Sequence, residues 1–132
     1  MSDDTGVTSE TSEGPTARLR IRVVFDGGFM MGPGKADLLE LIRDTGSISA
    51  AGRRMGMSYK RAWTLVETMN AGFSAPVVES TRGGARGGGA RLTETGATAL
   101  GHYRALEAAC GAAAAPDLAG LSGLLADIPG EK

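Results

Sequence analysis

Apolar side chains first appear in this sequence with a period of two. Leu19, Ile21, Val23 and Phe25 alternate with Arg18, Arg20, Arg22 and Val24, the spacing of a strand with one buried and one solvated face. The outward arginines could touch phosphate, although a solvated face is the ordinary use of such residues. Asp26 to Gly34 then brings Gly27, Gly28, Gly32, Pro33 and Gly34, a connector dense in turn formers. From about Lys35 to Asp44 the period becomes helical, with Leu38, Leu41 and Ile42 on one side. Thr45-Gly46 closes that helix with glycine in the usual stop position.

The same period returns twice more at close quarters. Ser47 is placed to cap a second helix by accepting from a free backbone N–H, and Ile48, Ala51, Gly52 and Met55 fall at i, i+3, i+4 and i+7. Small residues on that face let a neighbouring helix come close. Gly56 ends the segment, Met57 turns inward, and Ser58 caps a third helix in which Ala62, Leu65, Val66 and Met69 form the apolar stripe. Trp63 falls between the faces, where a half-buried anchor is the expected role.

Beyond Asn70 a loop from Ala71 to Pro76 leads to a short strand, Val77 to Ser80, with Arg91-Leu92 as its returning partner. Between them Thr81 to Ala90, TRGGARGGGA, sets Arg82 and Arg86 among five glycines. Thr93 and Glu94 open another helix with Leu100, Tyr103, Leu106 and Cys110 on its buried side. Gly111 to Pro116 should interrupt it, and Asp117 should cap a last amphipathic turn bearing Leu118, Leu121, Leu125 and Ile128. Two close helices followed by a basic hairpin predict a mainly α protein with a small β wing, a winged helix-turn-helix. The expected organisation is an acidic, disordered tail over 1–17, the winged domain over 18–110 and a short C-terminal helix or tail over 111–132.

Composition narrows the chemistry. At 132 residues, 42% of them hydrophobic and 21 of them glycine, the chain has material for one modest core with glycine-rich loops. The net charge of -1 hides a separation of sign. Residues 1–17 carry Asp3, Asp4, Glu10 and Glu13 with no base. From Ser47 to Arg91 there are seven bases (Arg53, Arg54, Lys60, Arg61, Arg82, Arg86, Arg91) against two acids (Glu67, Glu79), a local net of +5. This block is the part suited to a polyanion.

Within it, Ser47, Ser58, Tyr59, Lys60, Arg61 and Thr64, with Arg82, Arg86 and Arg91 of the hairpin, are the candidate DNA-binding residues. Arg and Lys donate to guanine O6 and N7, hydroxyls bond base edges or phosphate, and a glycine-rich tip lets arginine reach a backbone or minor groove. The glycine run lacks the Gly-Lys-Ser/Thr of a nucleotide-binding loop. Cys110 stands alone with only His102 nearby in sequence, so neither a disulfide nor a metal site is expected. Glu40, Asp44, Glu67 and Glu79 are spaced as ordinary surface carboxylates, and no nucleophile–base pair is present; neither an enzyme nor a cofactor is expected. No signal peptide or membrane span is evident, which places the protein in the cytoplasm without a membrane partner.

The segments GSIS (46–49), MSYKRAW (57–63) and GGGARLTETG (87–96) together resemble the helix-turn-helix and wing of the ModE family of molybdate-responsive transcriptional regulators, over roughly residues 18–110. The resemblance implies a winged helix-turn-helix (LysR-like) domain that forms a homodimer and binds a pseudo-palindromic operator in double-stranded DNA near genes of molybdenum uptake or use. It implies a recognition helix over Ser58 to Asn70 and a wing over Thr81 to Ala90. Full-length members continue into molybdate-binding domains. This chain ends at Lys132 and resembles a stand-alone form, so direct binding of molybdate is not expected. The alternative is a winged-helix module that grips another protein with the same face.

Overall fold

The structure is a computed structural model that describes residues 17–81 and 89–126. The elements run β1 (Val23–Val24), β2 (Met30–Met31), α1 (Pro33–Thr45), α2 (Ile48–Arg54), α3 (Tyr59–Gly72), β3 (Val78–Thr81), β4 (Gly89–Leu92) and α4 (Glu94–Gly123). The chain falls into two units. One is Arg20–Glu107; the other is drawn from the chain ends, where the described residues are 17–19 and 108–126.

The core of the first unit is set by α1 and α3. Leu38, Leu39 and Ile42 of α1 and Val66 and Met69 of α3 are fully buried with Val77 just before β3. Burying each such side chain contributes about 1.5–3 kcal/mol relative to leaving it in water. The stripe on α1 therefore centres on Leu38, Leu39 and Ile42, with Leu41 only partly covered. The helix begins two residues before the expected Lys35 because Pro33 occupies its first turn, where a missing N–H breaks nothing.

The expected strand from Leu19 to Phe25 shrinks to Val23–Val24, paired antiparallel with Met30–Met31. The supposed connector thus supplies the partner strand. Phe25 N–H donates to Phe29 O at 2.9 Å across a turn in which Gly27 and Gly28 have φ of 93° and 104°. Phe25 stacks on Phe29 with ring centroids 6.1 Å apart, instead of entering the core, and remains 47% exposed. Leu19, outside the strand pairings among the described residues, is also exposed.

The first part of α4 completes the unit. Thr93 caps it by accepting from Gly96 N–H at 3.0 Å while donating to Pro76 O at 2.6 Å. Leu100 and Tyr103 are buried, and the Tyr103 hydroxyl donates to Ile21 O at 2.6 Å, tying the start of the unit to its last helix. Burial and the neighbouring Glu107 push that phenol above the ordinary tyrosine range. Arg104 reaches Asp37 and Glu40 of α1 at 2.8 Å each and Glu107 at 2.9 Å.

Two expectations about this helix are corrected. Cys110 is exposed, not a core residue, because the buried stripe stops at Leu106 and the compact unit ends at Glu107. Nor do Gly111 to Pro116 interrupt the helix, or Asp117 start a new one: α4 passes through Pro116. Ala112 to Ala115, the strongest helix formers, carry it up to a proline that removes one hydrogen bond. The acidic segment 1–16 and Ile128 lie outside the described residues.

Candidate nucleic-acid interface

Two serines and a bare glycine build the corner between α2 and α3. Ser47 Oγ accepts from Ala50 N–H and Ser58 Oγ accepts from Arg61 N–H, both at 3.0 Å, so each helix starts on a side-chain cap. Gly56, at φ 73°, makes the turn, and Met57 N–H returns to Gly52 O at 3.0 Å. A Cβ on Gly52 would lie 2.9 Å from the Ala62 Cβ, so the missing side chain is what lets α2 and α3 cross this closely.

That crossing fixes which side of α3 faces out. Ala62, Val66 and Met69 are buried, whereas Ser58, Lys60, Arg61, Thr64, Glu67 and Thr68 are exposed and Tyr59 is 56% exposed. The Thr64 hydroxyl donates to Lys60 O at 3.0 Å, leaving its oxygen free to accept from outside. Trp63 is half-buried as expected; its indole N–H donates to the Tyr59 hydroxyl, and the rings meet edge-on at 6.2 Å between centroids. Tyr59 therefore keeps its own phenolic proton for an outside acceptor.

A recess of about 370 Å³ opens along the Tyr59 and Trp63 side, walled by Ser47 and Ser49 of the α2 start, Ser80 of β3 and Gly89 of β4. Ser49 and Ser80 were not singled out from the sequence. Ser49 lies within the same GSIS segment as Ser47, but nothing in its spacing distinguished it from a surface serine, and Ser80 comes into place only through the hairpin.

The hairpin pairs Val78 with Leu92, Glu79 with Arg91, Ser80 with Ala90 and Thr81 with Gly89. Its base is held in two places. Ala90 N–H donates to Gly46 O at 2.9 Å, the turn between α1 and α2. Asn70, near the end of α3, accepts from Val77 N–H at 2.8 Å and Val78 N–H at 3.1 Å and donates to Val78 O at 3.1 Å. Asn70 gave no sequence signal beyond being a polar residue late in a helix. Arg91 is exposed, but its guanidinium is bound to Glu79 at 2.8 Å. Arg82 and Arg86 lie outside the described residues.

Among the described residues no group of three or more His, Cys, Asp or Glu side chains could hold a metal ion, and no helix is long and apolar enough to cross a membrane. A capped helix pair closing on a glycine corner, with an antiparallel hairpin fastened behind it, defines a winged helix-turn-helix protein.

No family model matches the chain. Its homologues are Mop and ModE proteins. The chain is 49% identical over 81 residues to the molybdenum-pterin-binding protein MopB of Rhodobacter capsulatus, covering 61% of this chain and 30% of that protein. It is 39% identical over 88 residues to the molybdenum transport protein ModE of Azotobacter vinelandii, covering 67% and 33%. It is also 42% identical over 64 residues to the DNA-binding transcriptional dual regulator ModE of Escherichia coli (strain K12), covering 48% and 24%. The chain thus spans a quarter to a third of the length of these relatives.

Proposed function

We propose that this chain is a DNA-binding transcriptional regulator of genes for molybdenum uptake or use, and that it reads double-stranded DNA with the N-terminal half of α3. The observation that carries this reading is the solvent-facing set of Tyr59, Lys60, Arg61 and Thr64 on a helix whose opposite side is locked into the core. A protruding helix with two cations and free hydroxyl groups suits a major groove, where side chains meet base edges. The recess bounded by Ser47, Ser49 and Ser80 suits a sugar-phosphate backbone beside it. The name of the Escherichia coli relative, a DNA-binding transcriptional dual regulator, and the molybdenum-related names of the others support the biological side of the proposal.

A single recognition helix makes few base contacts, so the proposal includes a homodimer reading two half-sites of a pseudo-palindrome ~34 Å apart. In the unit that contains the chain's C-terminal part, Leu121, Leu124 and Leu125 are 63%, 82% and 61% exposed. Burying these leucines against a second copy would supply an apolar dimer contact. No catalytic role is proposed.

The test is selection of bound fragments from the host genome, followed by fluorescence anisotropy on the selected sequences. Binding through ~6 to 10 phosphates weakens by ~10³ to 10⁵ between 50 and 200 mM salt. Failure to enrich any fragment, or binding indifferent to salt, overturns the proposal.

A further inference from the structure

The other flank of α3 borders a second recess, and this one is charged. Its volume is about 290 Å³, and Arg20, Arg22, Lys35 and Arg61 line it together with Met57 and Leu65. Among the described residues no acidic side chain lines it. Among the described residues, Arg43, Arg91 and Arg104 each bind a carboxylate, whereas none of these four cations does. The first turn of α1, which contributes Lys35, has no acid either, and Gly32 offers it no side-chain cap.

Four cations converging on one cavity repel one another in the free protein. The effect registers on Lys35, whose pKa is held below the ordinary lysine value by burial and then by Arg22 and Arg61. An anion in the recess converts that repulsion into attraction. Arg61 projects here from the same helix that carries Tyr59 and Trp63 on its other flank. The exposed ridge of Lys60 and Thr64 therefore runs between a hydroxyl-lined recess and a cation-lined one.

We propose that the recess of Arg20, Arg22, Lys35 and Arg61 seats a backbone phosphate of the duplex, so that α3 is held in its groove from both sides. This rests on the DNA-binding reading above and extends the interface to Lys35 of α1 and to Arg20 and Arg22, just before β1, which the sequence pattern left on a solvated face. The contact positions the protein without reading sequence, because every nucleotide presents the same phosphate.

The test compares the wild type, the double variant Arg22→Gln/Lys35→Gln and Lys60→Ala by fluorescence anisotropy on one selected and one random fragment, from 50 to 200 mM salt. The double variant is expected to bind both fragments more weakly by the same factor, with the slope of log affinity against log salt shallower by ~1. Its thermal midpoint should stay close to that of the wild type, since two mutually repelling charges are gone while the Lys35 contact over the Phe29 ring, 5.7 Å to its centroid, is lost. A double variant that matches the wild type in affinity and slope, while Lys60→Ala weakens binding, overturns the phosphate seat and leaves the DNA reading standing. A wild type that binds no duplex removes both. In a second arm, inorganic phosphate is titrated into DNA-free protein while the Lys35 side chain is followed by NMR. Saturation at low millimolar phosphate that the double variant loses, together with an unchanged DNA slope, overturns the proposal by assigning the recess to a free oxyanion.

Discussion

Asn70 binds Val78 as a neighbouring strand would, accepting from its N–H and donating to its carbonyl, both at 3.1 Å. One amide side chain thereby joins the helix that faces outward to the hairpin behind it. The bonds fix the end of α3 against the start of β3.

Asn70→Ala leaves the N–H groups of Val77 and Val78 and the Val78 carbonyl without these partners. The expected loss is about 2 kcal/mol in urea-induced unfolding, since orphaned polar groups cost ~1–3 kcal/mol and this site is only partly closed to water. Asn70→Asp keeps the acceptor and loses the donor, so it should fall between the two. Equal stability of all three proteins would show that the clamp contributes nothing.

Gly52→Ala adds a methyl 2.9 Å from the Ala62 Cβ. Helix propensity alone favours alanine by ~1 kcal/mol, yet pushing α2 from α3 costs ~1–3 kcal/mol. Thermal unfolding is expected to show a net loss, accompanied by weaker DNA binding because α3 moves relative to its support. A stabilised variant would mean that the crossing has slack.

Lys60→Ala and Arg61→Ala concern side chains that are exposed and make no ion pair among the described residues. Each should leave stability within ~0.5 kcal/mol of the wild type. Operator affinity should fall for both, by ~1–3 kcal/mol with reduced discrimination where Lys60 meets a base, and evenly across sequences for Arg61, which lines the phosphate recess. Unchanged binding by the double variant would remove α3 as the reading element.

Glu79→Gln removes the negative charge that holds Arg91 at 2.8 Å and leaves at most a neutral hydrogen bond. The pair is exposed, with the two side chains at 68% and 44%, and such pairs contribute ~0–1 kcal/mol. Stability should barely change while DNA affinity rises, because a negative charge leaves the hairpin and a cation is freed for phosphate. A fall in affinity would show that Glu79 orients Arg91 for its contact.

The helix-turn-helix was legible because its determinants are local. Ser47 and Ser58 cap helices within three residues of themselves, Gly56 turns the chain at its own position, and the stripe of Ala62, Val66 and Met69 repeats at helical spacing. Long-range placement was not. Asn70 meets Val78, Arg104 meets Asp37 and Lys35 meets Arg22 and Arg61 only once the fold has formed, and no period in the sequence encodes those meetings. The alternation from Leu19 to Phe25 misled for a related reason. A period of two states that a strand is possible, while its length is set by the partner, and Met30–Met31 pairs with only two residues.

Ala90 bound to Gly46 and Asn70 bound to Val78 hold one strand of the hairpin each, below its tip. Both anchors lie outside the segment that connects Thr81 to Gly89. A hairpin anchored at those two points is expected to keep its base when the connecting segment is exchanged for one of different length or charge.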